Sequence, residues 1–333
     1  VFLTGGSGLI GSHVAALLRD EGHEVTALCR ADTDVSHLES LGCVIAPGDV
    51  RDPPAALAAV MGGCTHVVHG AALVYAGGSW PKVRSVNVEG TANVLEAAAH
   101  AGARHAVHIS SVAVYGSVLG PVDERHSTAG PLPPKDLYAR SKREAEAEVR
   151  RVEKEHGLSV TVLRPSAVYG ERDRLMAQRI ARMVRGPVAF LLGRGDNTIP
   201  AVYAGNVAVA VSLALASGRG GETFDVGMDH PLTQRALLRG LARGMGRSPR
   251  LISIPAGLAR TVAAVLERLG VSTPGVRSLP LGRVVRLALG DNPYPSRRIR
   301  DELGWAPPHE HEEALARTGR WLKDFGSSTE RAV

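Results

Sequence analysis

Cysteine is scarce: three residues in 333, at Cys29, Cys43 and Cys64, odd in number and far apart. No C-x-x-C pair and no cysteine–histidine spacing of the zinc kind occurs, which sets aside a disulfide-stapled secreted module and a structural zinc domain. A reducing, cytoplasmic compartment is the expectation. No apolar run approaches the ~18 residues of a membrane span, so none is expected. Val1 already falls in an expected strand, so the chain as it stands is expected to carry no signal peptide. Long blocks of like charge, low-complexity segments and solenoid repeats are missing as well. The formal net charge is +6, yet arginine is spread over many helices. That pattern reads as a solvated basic surface, not a nucleic-acid interface.

What is present is a globular composition, 44% hydrophobic and 22% charged, which supplies a sizeable core and argues against disorder. Short apolar runs at Val1–Leu3, Glu24–Cys29, Val44–Ala46, His66–His69, Ala106–Ser110 and Ser159–Leu163 alternate with amphipathic stretches. The latter are Ser12–Glu21, Pro53–Met61, Val88–Ala101 and Ala139–Glu155. This alternation predicts βαβ units and a parallel sheet covered on both faces. His66 and His69 lie three apart in one run, so a strand turns them to opposite faces and no metal site is expected. After Pro165 the pattern loosens. A sheet-like run returns at Thr223–Gly227, preceded by an Ala/Val-rich helix at Val207–Ser217 that is apolar nearly all round and expected to be buried. Apolar helices follow at Leu258–Leu269 and Val284–Leu289, and a last helix at Glu310–Phe325. Residues 1–165, with return segments near 200–227, are read as a nucleotide-binding domain and 166–333 mainly as a smaller, interleaved cap.

The run Val1-Phe2-Leu3-Thr4-Gly5-Gly6-Ser7-Gly8-Leu9-Ile10-Gly11 reads as strand, glycine turn and helix start. Gly5 permits a sharp turn, Gly8 lets backbone approach a pyrophosphate, and Gly11 allows close packing of helix on strand. The N–H groups at the helix N-terminus then favour phosphate, which points to a dinucleotide. An acid at the end of the second strand usually selects NAD. Here the strand ends Ala27-Leu28-Cys29-Arg30, and the first carboxylate is Asp32. Arg30 suits a 2′-phosphate, so NADP(H) is favoured, while Asp32 keeps NAD(H) open.

Tyr138-Ala139-Arg140-Ser141-Lys142 opens a long polar helix, with Tyr138 and Lys142 one turn apart on one face. A lysine beside a phenol lowers the phenol's pKa toward neutrality and suits it to exchange a proton with a carbonyl or alcohol oxygen. Ser110-Ser111 follows Ile109 at the C-terminal end of a strand, where open α/β sheets bind ligands.

Seven motifs occur in one order: T-G-G-S-G-L-I-G, Gly48-Asp49-Val50, His69-Gly70-Ala71-Ala72, Asn87-Val88-Glu89-Gly90-Thr91, Ser110-Ser111-Val112-Ala113-Val114-Tyr115-Gly116, Y-A-R-S-K and Arg164-Pro165-Ser166-Ala167-Val168-Tyr169-Gly170. In this the chain resembles the extended short-chain dehydrogenases/reductases over residues 1–170, and more weakly through Ser296–Leu322. The resemblance implies an α/β fold: a Rossmann-type doubly wound parallel sheet with a smaller C-terminal substrate-binding cap. It implies Tyr138 as acid/base, Lys142 on the nicotinamide ribose, Ser111 on the reacting oxygen and Asn87 in a water relay. Gly5, Ser7, Gly8, Leu9, Ile10 and Gly11 would hold the pyrophosphate, with Asp49 and Val50 at the adenine, Ala71 and Ala72 lining the cofactor, and Pro165 to Val168 at the carboxamide. A homodimer through helices 88–101 and 139–155 is also implied.

Two enzyme readings compete. One is a ketone reductase or alcohol dehydrogenase acting on a hydrophobic substrate, similar to 3β-hydroxysteroid dehydrogenases, dihydroflavonol reductases and β-keto-acid reductases. The other is a nucleotide-sugar epimerase with tightly bound NAD. Ala167 stands where sugar-nucleotide members commonly have asparagine, Val112 and Ala113 replace the dehydratase Asp-Glu, and the cap is apolar at 251–269 and 284–289, all of which favour the first. A non-catalytic, cofactor-sensing protein of the same fold is a third reading, against which Ser111, Tyr138 and Lys142 weigh. The segment Val202-Tyr203-Ala204-Gly205-Asn206-Val207 departs from the frequent Val-Asp-Asp-Val, which puts in doubt any capping role carried by those carboxylates.

Overall fold

The computed structural model describes residues 1–74, 79–116, 118, 120–134, 136–173, 176–268 and 281–330. Eleven strands are found among them: β1 (Phe2–Thr4), β2 (Thr26–Cys29), β3 (Val44–Pro47), β4 (His66–His69), β5 (His105–Ile109), β6 (Ser159–Pro165), β7 (Ala167–Tyr169), β8 (Val188–Leu192), β9 (Ala201–Tyr203), β10 (Thr223–Val226) and β11 (Arg250–Ile254). Seven form one sheet in the order β10-β6-β5-β4-β1-β2-β3, every neighbouring pair parallel. The doubly wound parallel sheet expected from the alternation is therefore present. β7 pairs with β9, and β8 with β11, as two small parallel sheets beside it.

Strands buried on both faces are expected to be largely apolar, and β1 and β5 are entirely buried, with Thr4, His105 and His108 as their polar members. Helices Leu9–Asp20 and Ala204–Ser217 cover one face, with Leu3, Val14, Leu18, Val207, Val211 and Phe224 in a shared core. Helices Pro54–Val60, Gly90–His100 and Leu137–His156 cover the other, around Phe2, Val67, Leu95, Val149 and Val160. Because the strands are parallel, their C-terminal ends share one edge of the sheet. That edge carries the turn after β1, Arg30 after β2, Gly48-Asp49 after β3, Ala71 after β4, Ser111 after β5 and Pro165 at the end of β6.

The C-terminal segments build a core of their own around Tyr169, Val184, Leu191, Tyr203, Leu237, Leu241 and Leu315. Helices Gln234–Gly244 and His311–Glu330 meet there at very short range: a Cβ at Gly319 would lie 2.6 Å from the Leu241 carbonyl oxygen and 2.7 Å from the Gly244 Cα. The helix Ala256–Arg268 buries Ala259 and Ala263 against Val285 and leaves Leu258, Val262 and Val265 exposed. Its expected last residue, Leu269, lies outside the described residues. No helix among the described residues is long and apolar enough to cross a membrane.

The missing carboxylates of the 202–207 segment are replaced from elsewhere. Asp229 accepts hydrogen bonds from the Tyr203 amide (2.9 Å) and Asn206 Nδ2 (2.8 Å), while Asn206 Oδ1 takes the His309 amide (3.0 Å). The start of helix Ala204–Ser217 is thus tied to two later segments.

Alanine in a helix interior is normally worth ~1 kcal/mol over glycine. At Gly319 the sign should reverse, because the added methyl meets backbone on both sides. Gly319→Ala is expected to destabilise by ~1–3 kcal/mol, as overpacking does, read as a lowered Tm.

Candidate active site

The turn after β1 is closed by a hydrogen bond from the Gly8 amide to the Gly5 carbonyl (3.0 Å). Gly5 has φ +75°, and a Cβ there would sit 2.7 Å from the Ala71 amide nitrogen; a Cβ at Gly11 would overlap the Gly5 carbonyl. Turn, helix start and the loop after β4 therefore touch through bare backbone. Gly8 is the N-cap of helix Leu9–Asp20 and offers no side-chain cap. Ser7 is exposed and Leu9 and Ile10 are half-buried beside it. This cradle of backbone amides at a helix N-terminus fits a pyrophosphate, the group a dinucleotide brings.

Arg30 is exposed and donates to Asp32 at 3.1 Å, so the cation and the acid weighed for the ribose end form one pair. The Asp49 carboxylate is taken up by Arg51 in a fork of 2.9 and 2.8 Å, and Val50 is buried against Gly90. Ala71 and Ala72 are half-buried. Pro165 closes β6, and Val168 sits in β7, packed on the sheet's core.

Beneath the turn runs a buried chain that sequence reasoning missed. The Ala71 amide donates to Thr4 Oγ1 (3.2 Å), and Thr4 Oγ1 meets His69 Nδ1 (2.8 Å). His69 Nε2 meets Thr91 Oγ1 (3.0 Å), which donates to the Asn87 carbonyl (2.7 Å). Thr91 spends its proton on that carbonyl, so it must accept from His69 Nε2–H, and Nδ1 must accept from Thr4. One neutral tautomer satisfies every bond. Burial holds His69 in that form, lowering its pKa to about 3, with the charge of Lys142 adding to the effect. His108 stacks on it at 5.4 Å between ring centroids, with no partner for either ring nitrogen among the described residues, and burial drives it well below the ordinary range too. His66 and His69 occupy a strand as expected, and no group of metal ligands is found among the described residues.

The end of β5 meets helix Leu137–His156. Asp136 caps that helix by accepting from the Ala139 amide (3.0 Å), which sets Tyr138 and Lys142 in its first turns. Ser111 follows the strand, caps the 3₁₀ turn Val112–Tyr115 through its hydroxyl, and stands near enough to Tyr138 to favour its ionised form. Lys142 is 3% exposed and its Nζ donates to the Ile109 carbonyl at 2.7 Å. Ala113, Val74 and Leu132 pack against Tyr138. Asn87 sits in a π-helical turn, Ser85–Glu89, accepting from the Leu73 amide (2.7 Å) and donating to the Leu73 carbonyl (3.1 Å) and Ser141 Oγ (2.9 Å). It clamps the loop after β4 to both helices.

One expectation is corrected by this geometry. Lysine was expected to draw the phenol toward neutrality. Instead burial pushes the Tyr138 hydroxyl up to about 12, only partly offset by Ser111, while the Lys142 ammonium is directed at a carbonyl. Burial likewise lowers Lys142 to about 8, with Glu146 opposing. The pair can hold a phenol proton and an ammonium together below that pH.

Residues 1–227 match the NAD dependent epimerase/dehydratase family. The chain is 30% identical over 249 residues to the 3beta-hydroxysteroid-dehydrogenase/decarboxylase isoform 2 of Arabidopsis thaliana, 70% of this chain and 44% of that protein. It therefore spans less than half the length of that relative. It is also 30% identical over 327 residues to the 2-alkyl-3-oxoalkanoate reductase of Stenotrophomonas maltophilia, 95% of this chain and 97% of that one. The solved structure of a dTDP-glucose 4,6-dehydratase from Streptomyces venezuelae, with NAD bound, aligns with a TM-score of 0.73 at 26% identity, covering 98% of each chain.

The buried histidines give stability a sign with pH. Unfolded, His69 and His108 would take up protons below their ordinary 6.5; folded, they do not. Asp225, raised from 3.8 to about 7 by burial and then by Glu124, opposes them by one proton. Burial lowers His66 and His105 as well, so the unfolded chain binds at least one net proton more below pH 6.5, and stability should fall on acidification by ~1.4 kcal/mol per pH unit or more. Urea unfolding at several pH values checks this, and Asp225→Asn, which removes the opposing proton, should steepen the slope.

Proposed function

The chain belongs to the NAD dependent epimerase/dehydratase family, and from that premise we propose that it interconverts a ketone and a secondary alcohol on a hydrophobic substrate. Tyr138 is the proton donor and acceptor. The observation that carries this reading is the meeting of Ser111, just after β5, with Tyr138 in the first turn of helix Leu137–His156, and buried Lys142 one turn along that helix. A bound nicotinamide dinucleotide supplies or takes up the hydride. The chain's own residues do the rest. Ser111 donates to the substrate oxygen as charge develops there, and Tyr138 delivers its proton to that same oxygen. A phenol held near 12 remains protonated until an alkoxide forms, which is the form reduction needs. Lys142 holds the ribose and keeps a positive charge under the site.

The amides of Gly5 to Gly11 would bind the pyrophosphate, Val50 and Asp49 the adenine, Ala71 and Ala72 the body of the cofactor, and Pro165 and Val168 its carboxamide. The Asn87 clamp keeps the loop after β4 in place for this. Residues 166–333 are assigned mainly to a substrate-binding cap. The hydrophobic-substrate reading is supported by Val74, Leu132 and Ala113 around Tyr138, by the short apolar Ala167, and by likeness to a 3-oxoalkanoate reductase. A homodimer through helices Gly90–His100 and Leu137–His156 belongs to the same reading; the two lie side by side, with Arg151 bridging to Glu96. Sugar-nucleotide chemistry is the second reading, favoured by the likeness to a dTDP-glucose dehydratase.

Mixing the protein with NADPH and apolar ketones, or NADP⁺ and their alcohols, should change nicotinamide absorbance, whereas UDP- and dTDP-sugars should neither epimerise nor dehydrate. Tyr138→Phe should keep the fold and lower turnover by ~10²–10⁴-fold, the usual worth of general acid–base catalysis. Near-normal turnover in that variant, or efficient sugar epimerisation by the wild type, would overturn the reading.

NADP(H) is the preferred form, because Arg30 stands where an acid would select NAD; Asp32 leaves NAD(H) usable. Arg30→Ala should raise the KM for NADPH well above its effect on NADH. A lost charge-assisted phosphate contact is worth ~1.5–3 kcal/mol, or tenfold to more than a hundredfold. Equal effects on both cofactors would remove the preference.

A further inference from the structure

One turn beyond Lys142 lies a buried carboxylate that the proposed chemistry does not use. Glu146 accepts from Ser110 Oγ (2.6 Å) and from Arg164 twice, Nε to Oε1 at 2.9 Å and Nη2 to Oε2 at 2.7 Å. Both charged side chains are largely buried. Arg164 Nη1 donates in turn to the Tyr115 hydroxyl (2.8 Å), which donates to Asp225 (2.9 Å). A forked, charge-assisted pair of this kind fixes a carboxylate in place.

The same carboxylate acts on Lys142. The two residues are four apart on one helix and therefore share a face. The titratable groups facing Lys142 from its other neighbours are His108 on β5 and His69 on β4, both held neutral by burial. On its own helix Tyr138 is a neutral phenol. Glu146 is the source of negative charge that raises the lysine against burial. Around Glu146 itself stand Arg164 from β6, Arg143 on its own helix and, farther along, Asp225 from β10. An ammonium removed from water loses several kcal/mol of hydration, more than a single carbonyl returns.

We propose that Glu146 is a positioning residue for Lys142: clamped by Arg164 and Ser110, its carboxylate keeps the buried ammonium charged while Tyr138 works. The role in turnover rests on the reading of Tyr138 and Lys142 given above; the electrostatic coupling does not.

The chain has five lysines, so ¹³C labelling at lysine Cε gives five resonances to titrate in the full chain as purified. Lys142→Met identifies the one of interest. Lys142 should titrate near 8, and Glu146→Gln should lower its midpoint by about one pH unit or more, the usual effect of one adjacent opposite charge. The alkaline limb of kcat/KM for ketone reduction should move down with it. A merely structural Glu146 would lower kcat alike at every pH and leave the midpoint in place, and that result overturns the proposal. Should the glutamine variant fail to fold, Glu146→Asp carries the test, since it withdraws the charge by one methylene: a smaller downward shift supports the coupling and an unchanged midpoint overturns it. A shifted midpoint in a protein whose Tyr138→Phe variant still turns over would overturn the catalytic reading and leave the coupling standing.

Discussion

Three consecutive residues at the end of β5 hold three consecutive turns of one helix. The Ile109 carbonyl accepts from Lys142, the Ser110 hydroxyl donates to Glu146, and Ser111 faces Tyr138. Tyr138, Lys142 and Glu146 stand at i, i+4 and i+8, so they fall on a single face. Extended chain sends alternate side chains to opposite faces, and Ser110, directly after the strand, is the one that points at the helix. Ile109 must use its backbone, and Ser111 reaches the helix because the strand stops there and turns into a 3₁₀ segment. A slip of one residue in β5 would break all three contacts together. β5 is in turn pinned between β4 and β6 in the middle of the sheet, two strand spacings, or ~10 Å, from the glycine turn of β1. The relation between the phosphate cradle and Tyr138 is therefore set by sheet geometry and not by loops.

Below this edge the side chains are buried, and burial drives most titratable groups there to their neutral forms. His69 and His108 are deprotonated, Tyr138 keeps its proton, and Asp225 is raised to about 7. The charge that persists is the forked pair of Glu146 and Arg164, in which two hydrogen bonds and the Ser110 hydroxyl offset the lost hydration. Lys142 stands at the boundary, close enough to that pair to be held charged and deep enough to be lowered.

Much of this was legible in the sequence, for identifiable reasons. Local rules place the glycine turn, because a strand followed by Gly5, Gly8 and Gly11 has few other foldings, and helical spacing places Tyr138 over Lys142. Apolar runs alternating with amphipathic stretches point to the parallel sheet, since strands buried on both faces are largely apolar. What pattern cannot supply is a partner distant in the chain. Nothing near Glu146 announces Arg164 eighteen residues later across a strand. Asp229 replaces the carboxylates missing from the 202–207 segment, and no spacing rule joins it to Asn206. His69 read as a bland strand residue because its partners Thr4 and Thr91 come from two other elements. The phenol's pKa was misjudged for the same reason: helical spacing fixes the distance to a lysine, while burial and the Ile109 carbonyl, both tertiary, decide where that lysine's charge is spent.

Burial moves Tyr138 and Lys142 in opposite directions along the pH scale, and this bears on the direction of the proposed reaction. Tyr138 at about 12 and Lys142 at about 8 leave a wide range below pH 8 in which phenol and ammonium coexist. Reduction of a ketone needs that state, because the oxygen must gain a proton as it gains charge, and a phenol gives one up readily to an alkoxide. Oxidation of an alcohol needs the phenolate, which burial opposes and which the ammonium, turned toward Ile109, does little to stabilise in this geometry. A lysine that swung from the carbonyl toward the phenol would shift the balance, since an adjacent cation favours the charged form. Ribose hydroxyls arriving beside Lys142 are the groups placed to compete for that ammonium. Direction and cofactor binding would then be governed by one side chain, held from behind by Glu146.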